Sequence, residues 1–242
     1  MAETHFGEWI AAHYATLWPE LFDPALIGAT VGFLAGLAPG GGSALEFGVG
    51  TGRIAIPLQD QGLEVYGMEL SPAMAAHLDG TGVEVLVGDY ATAHMTRTFD
   101  IVYLLRNTIT NLVTQDEQVR AFENAAAHLR PGGCFVVENY IPRLRDRVFA
   151  ETPEHLGVEE YDLATQIAVS RHRWIIDGEQ REFSSPHRYV WPAELDLMAR
   201  IAGLRLRERW SDWHRAPFTA ASTDHVSVWA KPFSHSRAVP NS

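Results

Sequence analysis

Three glycines alternate with other residues directly after a short apolar run. Residues 44–53 read Ala-Leu-Glu-Phe-Gly-Val-Gly-Thr-Gly-Arg, so Glu46 lies near the end of the run and Gly48, Gly50 and Gly52 follow it. Glycine adopts backbone conformations that are closed to other residues, and it lets a ligand approach the main chain closely. An acid followed by three glycines after a strand therefore predicts a loop shaped around a bound cofactor.

Two classes of cofactor compete for this loop. A dinucleotide is bound by the spacing G-x-G-x-x-G, with its pyrophosphate at the amino-terminus of the next helix. The spacing here is G-x-G-x-G, and Glu46 would put a negative charge close to a pyrophosphate. A cofactor with a sulfonium and an ammonium group tolerates this acid, which would hold water or the amino-acid end of the cofactor. At this point the chain resembles the class I S-adenosylmethionine-dependent methyltransferases, whose first motif is E/D-x-G-x-G-x-G.

A second acid lies where a ribose ligand is expected. Glu69 ends a β-rich run, about 20 residues beyond the glycines. A carboxylate accepts hydrogen bonds from both ribose hydroxyls at once. Ser71 and Pro72 then begin a helix as its cap and first residue. We predict Glu69 as the ribose ligand, with a solvated acid at the strand end as the alternative.

Two further strand ends carry polar residues. In the resembled family the first of them contacts the adenine, so Asp89 would accept from the exocyclic amine and Tyr90 would flank the ring, unless Asp89 is only a turn residue. The second is the polar cluster 106–111, which follows a strand at the edge where open α/β sheets bind ligands. The predicted cofactor ligands are Tyr14, Glu46, Gly48, Gly50, Gly52, Arg53, Glu69, Leu70, Met74, Asp89, Tyr90, Leu105 and Asn107, and the predicted substrate contacts are Phe6, Arg106, Asn111 and Tyr140.

The elements that position these residues alternate between strand and helix. Residues 114–117 form a capping box before apolar residues at helical spacing, and Pro131-Gly132-Gly133 separates this helix from the apolar run 134–138. Five β-α units in about a hundred residues require helical crossovers and hence a parallel, doubly wound sheet. The resembled family adds an antiparallel pair, with the seventh strand inserted beside the fifth. We predict a Rossmann-like α/β fold with a seven-stranded sheet.

Two additions flank this core. Aromatic residues at helical spacing predict an amino-terminal helical lid, in which Tyr14 closes the site and Phe6 extends an aromatic wall. Alternating runs on both sides of Asp177-Gly178 predict a β-hairpin that roofs a substrate pocket or pairs with a second subunit. We predict a single methyltransferase domain, residues 1–242, with a lid (1–38), a cofactor-binding core (40–140), a β-rich insertion (141–190), a C-terminal helix and strands (191–232) and a disordered tail (233–242).

Composition narrows the class of partner. The net charge of -11 over 242 residues would repel a phosphate backbone, which disfavours a nucleic-acid substrate. The lone Cys134 excludes an internal disulfide and suits a reducing cytoplasm. The sequence has no recognisable signal peptide, membrane-spanning run or metal-ligand spacing. We therefore expect a cytoplasmic enzyme that uses no metal and binds neither membrane nor nucleic acid.

The resemblance implies direct methyl transfer to a small molecule. A sulfonium methyl group is already activated, so the protein mainly aligns the acceptor, which loses a proton to a base or to water. No spacing singles out one of the eleven histidines; His187 and Tyr14 are the candidate catalytic residues, and Tyr14 and Tyr140 would orient the substrate. N-methylation of a specialised metabolite or amino sugar is the leading hypothesis. The alternatives are O- or C-methylation, a dinucleotide oxidoreductase and a non-catalytic binding subunit.

Overall fold

A seven-stranded mixed sheet forms the centre of the molecule. The computed structural model describes residues 7–145, 147–176 and 178–233. The parallel strands are β1 (Gly42–Phe47), β2 (Leu63–Glu69), β3 (Glu84–Val87), β4 (Phe99–Leu104) and β5 (Leu129–Tyr140), and the antiparallel pair is β10 (Arg205–Trp210) and β11 (Asp224–Ala230). The spatial order is β10-β11-β5-β4-β1-β2-β3. The predicted fold is confirmed, including insertion of the last strand beside the fifth.

Helices cover both faces of this sheet. One face packs on α5 (Gln115–His128) and α6 (Pro192–Ile201), and the other packs on α2 (Pro24–Ala35) and α3 (Ala55–Gln59). Parallel strands buried on both faces read as continuous apolar runs, which is why β1, β4 and β5 are conspicuous in the sequence. The predicted capping box at Thr114 and Glu117 is present, and Ser71 caps the short helix α4 (Pro72–Ala75) through the amide of Met74.

The fifth strand begins earlier than the sequence predicts. It starts at Leu129, where a helix stop and a loop are expected, and Leu129 pairs with Phe99 of β4. The register shifts between Phe99 and Ile101, which accommodates the Pro-Gly-Gly segment within the strand. A β-bulge of this kind absorbs residues that would otherwise break the pairing.

The insertion forms a second, antiparallel sheet of four strands, which we call the acceptor sheet. Its strands are β6 (Arg147–Glu151), β7 (His155–Asp162), β8 (Ile167–Ile176) and β9 (Glu179–Arg188), in sequential order. The predicted hairpin is β8 and β9, and Gly178 at its turn has a φ of 79°. The sequence analysis does not predict β6 and β7.

A buried arginine joins the acceptor sheet to the core. Arg188, at the end of β9, has 5% of its surface exposed. Its guanidinium donates to Glu194 at 2.7 Å, to Gln118 at 2.6 Å and to Gln166 at 2.8 Å. One side chain therefore ties β9 to α5 and α6.

The predicted lid consists of several short helices. They are α1 (Glu8–Leu17), a 3-10 turn (Pro19–Phe22) and α2. Phe6 and the tail beyond residue 233 lie outside the described residues, so the predictions for them have no structural counterpart. Within the part of the chain that the structure describes, no helix has the length and apolar character needed to cross a membrane.

Candidate active site

The three glycines form a tight turn at the carboxyl end of β1. Gly48, Gly50 and Gly52 have φ values of 67°, 57° and 81°, a region that disfavours residues with a side chain. A Cβ at Gly52 would lie 2.3 Å from Leu78 Cδ2, and a Cβ at Gly48 would lie 2.9 Å from Thr108 Cγ2. Glycine is therefore favoured at all three positions by conformation, and at Gly48 and Gly52 by space as well.

Glu69 is held against this loop by main-chain amides. One carboxylate oxygen accepts from the amide of Gly50 and the other accepts from the amide of Ser71, each at 2.9 Å. Burial raises the pKa of the Glu69 carboxyl, and the amide donors oppose this shift. A carboxylate oxygen has more than one lone pair, so each can accept a second hydrogen bond. The arrangement suits the vicinal hydroxyls of a ribose.

Glu46 is a second buried acid beneath the loop. Its carboxylate accepts from the Tyr103 hydroxyl at 3.0 Å, and burial raises its pKa to about 8. The guanidinium of Arg53 acts in the opposite direction, and this arginine donates to the carbonyl of Leu21 in the lid at 3.1 Å. A buried carboxyl that is costly to ionise suits a cationic ligand and is a poor neighbour for a pyrophosphate. The loop residues therefore fit S-adenosylmethionine better than a dinucleotide.

Asp89 makes a turn contact with the main chain, whereas the Tyr90 ring packs on the core. Asp89 accepts from the amide of Ala91 at 2.8 Å, which is the turn role that the sequence left as the alternative. The Tyr90 ring is buried against Phe47, with centroids 5.6 Å apart, and its hydroxyl donates to the Thr108 carbonyl at 2.8 Å. The Tyr90 ring thus packs on a core residue, and its contact with the adenine stays a prediction.

Two consecutive residues after β4 have left-handed backbone conformations. Arg106 and Asn107 have φ values of 52° and 60°, and such strain in residues other than glycine concentrates at functional sites. The end of β5 holds them: Glu138 accepts from the Arg106 amide, and Asn107 Oδ1 accepts from the Tyr140 amide, each at 2.8 Å. Of the other predicted cofactor ligands, Met74 and Leu105 are buried, whereas Arg53 and Leu70 are half-buried.

A cavity of about 360 Å³ lies between the lid, the end of β4 and the acceptor sheet. We call it the acceptor cavity. The glycine loop, Glu69 and Asp89 are not among its lining residues. Six of the residues predicted for catalysis or binding line it together: Tyr14, Arg106, Asn107, Asn111, Tyr140 and His187.

Tyr14 lies between the acceptor cavity and the glycine loop. Burial raises the pKa of its hydroxyl. That hydroxyl is within electrostatic range of Arg53 and Glu69 on the loop side and of Arg106 on the cavity side. Its ring packs on Trp18, with centroids 5.1 Å apart. The role of Tyr14 in closing the site stays a prediction.

The lid contacts both sides of the acceptor cavity. Glu20 forms a 3.5 Å ion pair with Arg106 at the end of β4. Trp18 approaches His172 of the acceptor sheet edge-on, with centroids 6.5 Å apart. The lid therefore bridges the central sheet and the acceptor sheet across the cavity.

The sequence analysis missed the residues that the acceptor sheet contributes, apart from His187. Glu159 is 7% exposed and accepts from Arg147 at 3.0 Å, from Tyr161 at 2.5 Å and from Ser170 at 3.3 Å. The alternation in residues 155–162 and 167–176 is the signal that could have found them, since these side chains share one face of the sheet. The lining residues contributed by this sheet are Arg147, Phe149, Glu159, Ser170, His172, Phe183, Ser185 and His187.

Two of the histidines in this sheet interact directly. His155 Nε2 and His172 Nδ1 are 3.0 Å apart. Burial lowers the pKa of His172 to about 4, and the charges of His155 and His187 add to this effect. His172 is therefore a neutral imidazole at neutral pH. Nearby, the Ser185 hydroxyl and His187 Nε2 are 2.9 Å apart.

The profile of a protein family described as "Methyltransferase domain" matches residues 44–133, the segment that includes the glycine loop, Glu69 and the end of β4. The cypemycin N-terminal methyltransferase from Streptomyces sp is 27% identical over 202 residues, which cover 78% of this chain and 82% of that protein.

Solved structures extend the similarity to nearly the whole chain. The CcbJ methyltransferase from Streptomyces caelestis is 35% identical, with a TM-score of 0.83 and coverage of 96% of this chain and 100% of that one. CalS10 from Micromonospora echinaspora, an amino pentose methyltransferase involved in calicheamicin biosynthesis whose structure has bound S-adenosylmethionine, shares the fold. Its TM-score is 0.68 at 21% identity, with coverage of 96% of this chain and 99% of that one.

Proposed function

Because the chain belongs to the class I S-adenosylmethionine-dependent methyltransferases, we propose that it methylates an amine nitrogen of a small specialised metabolite or amino sugar. When bound, the cofactor supplies a methyl group on a sulfonium, so the acceptor lone pair forms a bond to carbon while the C–S electron pair stays on sulfur as S-adenosylhomocysteine. The protein's own residues bind and orient the two partners and receive a proton.

On the cofactor side we assign three roles. The glycine loop permits close approach of the main chain, Glu69 accepts from the ribose hydroxyls, and Glu46 faces the cationic end of the cofactor. Asn107 and Tyr14 border both the cofactor side and the acceptor cavity. These assignments are supported by the fixed orientation of the Glu69 carboxylate and by the burial of both acids.

The observation that carries the choice of nitrogen is the charge balance of the acceptor cavity. Both arginines that line it are paired with acids, Arg106 with Glu20 and Arg147 with Glu159. His172 is held neutral by burial, so it adds no positive charge to the cavity. Aromatic rings that line the cavity, such as Trp18 and Phe149, can contact an ammonium group favourably. An amine that arrives protonated is thus tolerated.

The relatives support the same choice. The cypemycin enzyme is named for methylation at an N-terminus, which is an amine. The CalS10 enzyme is named for an amino pentose. An acceptor amine on a peptide end or on a sugar would therefore suit this chain.

Matched acceptors test the proposal. The purified protein is incubated with S-adenosylmethionine and with pairs of amino sugars, N-terminal peptides and their hydroxyl analogues. We expect a mass gain of one CH2 unit on amines, with stoichiometric S-adenosylhomocysteine. Preferential methylation of the hydroxyl analogues would establish O-methylation, and binding of S-adenosylhomocysteine without transfer to any acceptor would favour a non-catalytic role.

A further inference from the structure

Two histidines of the acceptor sheet form a pair whose chemistry extends beyond binding. His155 on β7 and His172 on β8 lie on the face that borders the acceptor cavity, and His172 lines that cavity. We propose that His172 accepts the proton lost by the acceptor nitrogen and that His155 passes it to solvent. This proposal rests on the proposed N-methylation and names the base for it, in place of the predicted His187.

The geometry of the pair is that of an imidazole-to-imidazole hydrogen bond. The N···N distance is 3.0 Å, and the ring planes differ by only 4° with centroids 5.2 Å apart, so the bond lies in the plane of both rings. Such a bond needs one nitrogen as donor and one as acceptor. When His172 donates from Nδ1, its Nε2 carries a lone pair. This is the tautomer that gives the cavity a base.

Aromatic packing holds both rings in this plane. His155 stacks on Trp174, with centroids 3.6 Å apart and an interplanar angle of 9°. His172 stacks on its cross-strand partner Phe183, at 4.7 Å and 15°. Trp18 of the lid meets the edge of His172. A ring that is packed on one face and contacted by a further aromatic residue loses little freedom when it accepts a proton, which favours rapid transfer.

The charges around the pair give the transfer a direction. Burial and the neighbouring imidazoles of His155 and His187 lower the pKa of His172, so this ring does not retain a proton. Burial also lowers the pKa of His155, but the carboxylate of Glu20 in the lid acts in the opposite direction. Of the two imidazoles, His155 is the one on which a carboxylate acts to favour the positive charge. The other charged pair of this face, Arg147 and Glu159, is mutually neutralised.

The proton count balances at each step. An N–H bond of the acceptor ammonium breaks as a bond forms to His172 Nε2, and the Nδ1 proton of His172 moves to His155 Nε2. His155 then releases its own Nδ1 proton to water. Both rings end neutral with exchanged tautomers, and exchange with water restores them after the product leaves. No oxidant, reductant or metal takes part.

The tautomers can be read without any acceptor. Long-range proton–nitrogen correlation spectra of protein with ¹⁵N-labelled histidine report which ring nitrogen carries hydrogen. We expect His172 to be protonated on Nδ1 and unprotonated on Nε2 at neutral pH, with its signals assigned by loss in His172→Gln. A His172 ring protonated on Nε2 would overturn the proposal.

Kinetics complete the test with an amine that the wild-type enzyme methylates. Because general-base catalysis contributes about 10²-fold or more, His172→Gln should lower kcat about 100-fold while affinity for S-adenosylhomocysteine stays unchanged. His155→Gln should lower kcat about tenfold, with partial rescue by added imidazole. His77→Gln, at an exposed position away from the cavity lining, is the control.

The outcomes separate this inference from the proposed function. If the wild type binds S-adenosylhomocysteine but methylates no amine, the proposed function fails, and the spectra still decide the tautomer. If the wild type methylates amines and His172→Gln keeps its kcat, the proton relay is wrong. If His172→Gln loses binding of S-adenosylhomocysteine, the kinetics are measured with His172→Asn instead. Asparagine keeps a side-chain group near the position of Nδ1.

Discussion

The carboxyl edge of the central sheet and the acceptor sheet serve one site but hold their side chains differently. At the edge, main-chain amides fix the functional groups: Glu69 accepts from Gly50 and Ser71, and Asn107 accepts from Tyr140. On the acceptor sheet, side chains fix one another, as the three donors around Glu159 demonstrate.

This difference separates side chains that are held by the main chain from side chains that are held by other side chains. An amide donor does not depend on the side chain of its own residue, so outside the glycine loop the edge keeps its hydrogen bonds when a donor residue is substituted. A side-chain donor disappears with its residue. We therefore expect substitutions at the edge to act on cofactor affinity, and substitutions on the acceptor sheet to act on turnover, acceptor choice or the attachment of the sheet.

The largest effect should follow from detaching the acceptor sheet. Arg188→Met removes a buried cation, so the Glu194 carboxylate loses its countercharge and Gln118 Oε1 loses its donor, which should cost about 3 to 5 kcal/mol of unfolding free energy. Urea denaturation measures the loss, with the exposed Arg205→Met as control. A loss below about 1 kcal/mol, the range of exposed pairs, would mean that the sheet is held by other contacts.

The next effect concerns the edge itself. Glu69→Ala should weaken binding of S-adenosylhomocysteine by about 1.5 to 3 kcal/mol, because charge-assisted hydrogen bonds to the ribose are lost. Titration calorimetry measures this change against Glu64→Ala, an exposed acid on the same strand. Equal affinities of the two variants would remove Glu69 from the cofactor site.

Tyr14 tests the boundary between the two regions. We expect Tyr14→Ala to lower kcat about tenfold, because the two substrates are positioned less well. The melting temperature should change little by comparison. Steady-state kinetics and thermal melting are compared in the same buffer. A large fall in melting temperature with unchanged kcat would instead make Tyr14 a packing residue.

The smallest effect on cofactor affinity is a pH dependence carried by Glu46. Its pKa in the folded protein is about 8, above the 4.5 of an unperturbed glutamate, so the folded state binds this proton more tightly than the unfolded state. Unfolding free energy should therefore fall as pH rises from 4.5 to 8. Over the upper part of this window, affinity for S-adenosylhomocysteine should rise about three- to fivefold as the carboxylate forms beside the cationic end of the ligand.

Glu46→Gln isolates this group, since glutamine has the same shape and no titration. Melting curves and calorimetry across the pH series should lose the Glu46 contribution in this variant. An unchanged pH dependence in Glu46→Gln would assign it to another group.

The positions of the edge residues can be predicted from the sequence because their signals are local. Gly48, Gly50, Gly52 and Glu69 each lie at a strand end, where conformation or a turn restricts the residue type. Tyr90 also lies at a strand end, but whether its ring faces a cleft or the core depends on Phe47, which is distant in sequence. Local patterns therefore predict positions better than side-chain directions.

The side-chain contacts of the acceptor sheet are not predicted either, because they too depend on residues that are distant in sequence. Glu159 and Ser170 meet only because β7 and β8 pair in one register, and the contact of His155 with His172 depends on that register as well. No residue type within β7 or β8 specifies this register. The β8–β9 hairpin is predictable because its turn residues, unlike its cavity-facing side chains, carry a local signal.

The way the chain enters and leaves the acceptor sheet has an evolutionary consequence. It departs after Tyr140 and returns through His187 to Arg188, and both Tyr140 and His187 line the acceptor cavity. One continuous stretch of coding sequence thus supplies a large part of the cavity wall, whereas β1, β2 and β4 lie outside it. Recombination that transfers residues 141–188 between related genes, together with partners for Arg188, would exchange acceptor preference as a unit while the methyl-donor site is inherited unchanged.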